Sequence, residues 1–147
     1  MTPTLFGRIQ TRLFLVALIG VPWSILIGPL LPRRDSASLG DVYQSVMSAL
    51  FLVALLGVLW EFVYHAVQQY RWDKDWPTLY GLLTGISEGV LVYALMDMGN
   101  PSEAVENIFP AAFLIHFVTT WVLIWAVAQG PMQVLFLRWR YRGGRLL

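Results

Sequence analysis

Residues 45–67 read SVMSALFLVALLGVLWEFVYHAV, a run that carries one carboxylate, Glu61, and one imidazole, His65. A helix needs about 20 mostly apolar residues to cross a hydrocarbon core of about 30 Å. Three more stretches meet that requirement, at 13–31, 78–98 and 109–129. Together they predict an all-α integral membrane bundle of four transmembrane helices, a single domain over 1–147. The remainder is a short amino-terminal arm, three loops and a basic tail over 130–147.

Composition agrees with this reading. The chain is 57% hydrophobic and 13% charged, whereas a soluble domain has roughly a quarter of its residues charged. No cysteine is present, which removes disulfides, thiolate metal sites and cysteine nucleophiles. Little chain is left for a soluble catalytic domain. The first apolar stretch is longer than the roughly 7–15 residues of a signal-peptide core, so it is read as a retained span. An integral protein of a bacterial inner membrane is the expectation.

If all four stretches cross, the arm, the second loop and the tail share one side. That side carries Arg8, Arg12, Arg71, Lys74, Arg138, Arg140, Arg142 and Arg145, and the other carries Arg33 and Arg34. The excess predicts cytoplasmic termini. Asn100-Pro101-Ser102 should end the third span, and the loop that follows holds Glu103 and Glu106 but no base.

Polar residues recur at helical spacing inside the spans. Residues three and four apart share a face, which groups Gly57, Glu61, Tyr64, His65 and Gln68 on the second span and His116, Thr119 and Thr120 on the fourth. On the third, Gly81, Gly85 and Gly89 repeat every four residues beside Thr84 and Glu88. Such a small-residue stripe lets another helix approach closely.

At about 1.5 Å of rise per residue, His65, Glu61 and Glu88 lie roughly 4, 9 and 15 Å from the cytoplasmic end of their spans. His116 lies about 11 Å from the outer end. The four would descend as a ladder if their faces converge. A charged carboxylate near the midplane costs at least about 2.5–3.5 kcal/mol, so Glu88 must be protonated, paired or hydrated.

Three uses of this ladder follow from its chemistry. Its members can serve as interhelical hydrogen bonds in a small accessory or structural subunit, one that associates through the glycine face and the tryptophan-bearing loop Arg71-Trp72-Asp73-Lys74-Asp75-Trp76-Pro77 as a homo-oligomer or within a larger membrane complex. They can relay protons or couple to an ion, since carboxylate and imidazole exchange protons near neutral pH. Or Glu61, His65, Glu88 and His116 can hold a divalent transition metal as cofactor.

Gly85-Ile86-Ser87-Glu88-Gly89 also fits the Gly-x-Ser-x-Gly pattern of serine hydrolases, with Ser87 and His116 as the pair. That pattern belongs on a strand-turn-helix and falls here in a membrane helix, so a hydrolase ranks last. In the tail, Gly130-Pro131 should break the helix. Beyond it Arg138, Arg140, Arg142 and Arg145 alternate with aromatics in a segment suited to anionic lipid headgroups, and no nucleic-acid partner is expected.

Overall fold

The computed structural model describes residues 4–70, 78–98 and 110–146. Helices make up nearly all of it, and the described residues form no β-sheet. Four of the helical segments are long and apolar enough to cross a membrane: Leu5–Leu30, Leu39–Gln69, Leu79–Met98 and Pro110–Leu135.

The first span starts at Leu5, well before the expected Leu13. Thr4 caps it, its side chain accepting a hydrogen bond from the Gly7 amide. Helix α1 (Leu5–Leu15) therefore carries Arg8 and Arg12 into the bundle. A π-helical turn, Val16–Gly20, follows, in which the Val21 amide bonds the Val16 carbonyl. Helix α2 (Val21–Ile27) and a 3₁₀ turn at Gly28–Leu30 complete the span.

The wide turn has a geometric use. Arg8, Arg12, Val16, Gly20 and Ser24 are spaced by four, and in a regular α-helix each such step rotates the side chain by about 40°. A π-turn accommodates one extra residue and turns the face back. Arg12 and Ser24 consequently both face neighbouring helices.

Helix α3 (Leu39–Gln69) begins with a capping box: Ser38 accepts from the Asp41 amide, and the Asp41 carboxylate accepts from the Ser38 amide. At 31 residues it is about 46 Å long, more than one bilayer core. Helices α4 (Thr78–Met98) and α5 (Pro110–Gln129) follow, and Gly130-Pro131 breaks the chain before two short helices, α6 (Pro131–Leu135) and α7 (Leu137–Tyr141).

The bundle is inverted relative to a soluble protein. Leu26, Phe51 and Ile86 are 68, 66 and 67% exposed, while Ser24, Glu88 and His116 are 0, 1 and 2% exposed. Apolar outside and polar inside is the arrangement lipid demands. Among the described residues Val16, Ala49, Leu50, Val53, Val92 and Phe117 form the central apolar layer, and Ile27, Leu31, Val42, Val46 and Ala112 form a second one beside the 31–38 loop.

Helices α4 and α5 run antiparallel as a zipper of small against large residues. A methyl group at Gly85 would lie 2.4 Å from the Trp121 indole nitrogen, and one at Gly89 would lie 2.7 Å from the Phe117 ring. Gly81 faces Trp125 more loosely, at 3.7 Å. Phe113, Phe117 and Trp121 stack along α5 with centroids 5.6 and 5.7 Å apart. The glycine stripe is thus filled by aromatics of the same chain.

The tail folds back on the start of α1. Gly143 and Gly144 take positive φ angles of 63° and 86°, a left-handed turn that glycine adopts readily. The Gly143 carbonyl accepts from the Thr4 amide at 2.8 Å, the Gly144 carbonyl accepts from the Thr11 hydroxyl at 3.0 Å, and Trp139 donates to Thr11 Oγ1 at 2.6 Å. Gly7 permits the approach, since a methyl group there would sit 2.2 Å from the Gly143 oxygen. Trp139 and Met132 are buried against Leu15, whereas Arg138, Arg140, Arg142 and Arg145 are exposed.

Candidate functional site

The tail end of the bundle holds four charged side chains in one layer. Arg12 sits about 10 Å from the start of α1, Glu61 about 12 Å from the end of α3 and Glu88 about 15 Å from residue 78 of α4, so the three reach a similar depth. Arg12 forks onto Glu88, Nη1 to Oε2 and Nη2 to Oε1 at 2.8 Å, and its Nε donates to Glu61 Oε1 at 3.0 Å. Planar bidentate pairing of this kind is the strong form of the arginine–carboxylate contact.

Arg8, one turn earlier, reaches Glu61 Oε2 at 3.5 Å and donates to Gln68 Oε1 at 2.7 Å. Tyr64 donates to Glu88 Oε1 at 3.1 Å. The Arg12 guanidinium also lies 5.5 Å from the centre of the Trp121 ring, within cation–π range. Two cations balance two anions, which removes the cost of an isolated charge in the membrane.

Gly57 makes the arrangement sterically possible. A methyl group at that position would fall 2.0 Å from Arg12 Nη1. The guanidinium therefore crosses α3 where only a hydrogen leaves room.

A cavity of about 690 Å³ adjoins this cluster. All four spans and the tail contribute to its wall: Arg8, Thr11 and Arg12 from α1, Glu61 and Tyr64 from α3, Thr84 from α4, Trp121, Trp125 and Ala128 from α5, and Trp139, Arg140 and Tyr141 from the tail. Its volume falls in the range of roughly 300–1,000 Å³ that small-molecule sites occupy.

A second polar contact lies toward the other end. Ser24 Oγ is 2.7 Å from His116 Nε2 and donates to the Gly20 carbonyl at 2.8 Å, and Trp23 donates to Thr119 Oγ1 at 3.0 Å. With its proton on the Gly20 carbonyl, Ser24 accepts from the His116 tautomer that is protonated at Nε2, an interhelical fastening of the neutral kind.

The sequence-derived ladder is therefore split. Glu61 and Glu88 meet through Arg12, His116 pairs with Ser24, and His65 Nε2 lies 3.1 Å from the Gln69 amide nitrogen. Among the described residues no three histidine, aspartate or glutamate side chains converge as a metal-binding group. Ser87 is exposed and donates to the Thr84 carbonyl at 3.0 Å, while His116 is taken by Ser24. The loop 71–77, Asn100-Pro101-Ser102, Glu103 and Glu106 lie outside the described residues.

Sequence reasoning missed the two arginines, which it left in the arm because an apolar window opens only at Leu13. The signal that finds them is their own spacing of four, together with the need of two intramembrane glutamates for a buried cation. No family model, curated protein or solved structure matches the chain, so its functional reading rests on the chemistry of this layer and its cavity.

Proposed function

We propose that the chain is a small polytopic membrane protein that binds an amphiphilic small molecule in the cavity between its helices and tail. The observation that carries this reading is the cavity of about 690 Å³ lined by both charged side chains and indoles. A purely structural ion-pair cluster has little reason to border such a space, because a cavity forfeits packing contacts and a buried salt bridge is itself weak evidence for stability. Apolar lining by Leu15, Val16, Val53 and Ile124 suits a hydrocarbon or ring body, and the arginines suit a polar end.

Association with other subunits has less support as the primary role, since Gly85 and Gly89 are already covered by Trp121 and Phe117. For orientation we propose cytoplasmic termini. With Arg8 and Arg12 counted inside the bundle, Arg71, Lys74, Arg138, Arg140, Arg142 and Arg145 still outnumber Arg33 and Arg34. The exposed Arg138, Arg142 and Arg145 of the tail then meet anionic headgroups of the inner leaflet.

Mass spectrometry of the protein released from nanodiscs tests the binding reading. The parent should carry one non-covalent adduct, and Ala128→Trp, which fills the cavity without touching a charge, should lose it. An adduct-free parent contradicts the proposal.

A further inference from the structure

Among the described residues the charged groups on the cavity wall are unequal in sign: Arg8, Arg12 and Arg140 against Glu61. Glu88 stands behind Arg12, 1% exposed and off the wall. Among the described residues Arg140 has no carboxylate partner, so it is the cation that the cluster does not neutralise. It reaches the cavity from α7, a segment held against α1 by the Trp139–Thr11 and Gly144–Thr11 hydrogen bonds.

Arg140 and the Arg8–Arg12 pair thus border one space from two separate elements. The indoles of Trp121 and Trp125, together with Ile124, supply an apolar surface for the rest of a ligand.

Resting on the binding reading above, we propose that the polar end of the amphiphile is an anion, a carboxylate or phosphate group, received between Arg140 and the arginines of α1. A guanidinium holds either anion through paired N–H donors. Neutralisation by Glu61 and Glu88 keeps Arg8 and Arg12 soluble in the bundle when the cavity is empty, and Arg140 supplies the charge that the ligand completes. A cationic head would face, among the described residues of the wall, two more positive than negative groups and is disfavoured.

The test uses the whole chain in nanodiscs of zwitterionic phosphatidylcholine. Intrinsic tryptophan fluorescence reports binding as it is quenched by brominated single-chain amphiphiles of equal length bearing a carboxylate, a phosphate, a hydroxyl or a trimethylammonium head. The carboxylate and phosphate should quench saturably and at least about tenfold more tightly than the alcohol, the effect of one charge-assisted hydrogen bond. Arg140→Gln should erase most of that preference while the alcohol still binds, which shows the variant to be folded.

Equal affinity for all heads, or preference for the trimethylammonium, overturns the anionic assignment and leaves the cavity reading standing. Absence of saturable quenching by any of them overturns both. Displacement by acetate or inorganic phosphate as strong as by the amphiphile assigns the site to a free anion and overturns the amphiphile.

Discussion

At the tail end of the bundle two arginines and two glutamates share a layer beside a cavity; about 18 Å further along the first span, Ser24 and His116 meet with no ion pair. Both regions bury polar groups among apolar helices. They differ in what the burial requires. A hydroxyl and an imidazole need one partner each, and such interhelical hydrogen bonds in a membrane average about 0.6 kcal/mol. A guanidinium needs full neutralisation, and Arg12 uses two carboxylates, an indole face and a glycine opposite to obtain it. A fold does not need so demanding a construction to hold helices together. The simpler contact does that at the far end.

Breaking the ionic layer should cost the most. Arg12→Leu leaves Glu61 and Glu88 buried without their shared cation, and loss of one partner of a buried pair costs about 3–5 kcal/mol. Denaturant unfolding in mixed micelles should register that loss. Arg12→Leu combined with Glu88→Leu should recover part of it, giving a coupling of about 1–3 kcal/mol. Strict additivity would mean that the two side chains do not act as a pair.

Smaller changes sharpen the contrast. Tyr64→Phe removes one hydrogen bond to Glu88 and should cost about 1 kcal/mol. Ser24→Ala removes a bond of the neutral contact and should cost about 0.6 kcal/mol in the same unfolding assay. If Ser24→Ala proved as damaging as Arg12→Leu, the far contact would be the more important of the two.

Much of the fold was legible from apolar run length alone, because crossing a bilayer imposes a length and forbids unpaired backbone. Residues 78–98 are helical throughout, and the break at Gly130-Pro131 agrees with the structure. The start of the first span did not. Thr4, Arg8 and Thr11 make its first turns amphipathic, so an apolar window passes over them, yet the helix is capped and continues.

Site legibility divides the same way. The stripe Gly57, Glu61, Tyr64 and Gln68 is buried as its spacing implies, whereas His65 on the adjoining position turns to Gln69. Periodicity identifies a face but not which helix it meets. The glycine stripe was equally visible, but its partner lay in Phe117 and Trp121, whose four-residue spacing supplies the large side chains that glycines accept. The return of the tail through Gly143 and Gly144 depends on a turn far from α1 in sequence, which local pattern does not encode.

The ionic layer and its cavity are proposed as a binding site, and the Ser24–His116 contact as a fastening. Melting temperature with and without a saturating single-chain carboxylate, measured on three proteins, tests this most directly. Ligand at about 100 times its Kd stabilises a folded state by about 2.7 kcal/mol. The parent and Ser24→Ala should show the same upward shift, and Ala128→Trp should show none. An equal shift in Ala128→Trp, or a shift lost in Ser24→Ala alone, would contradict the account.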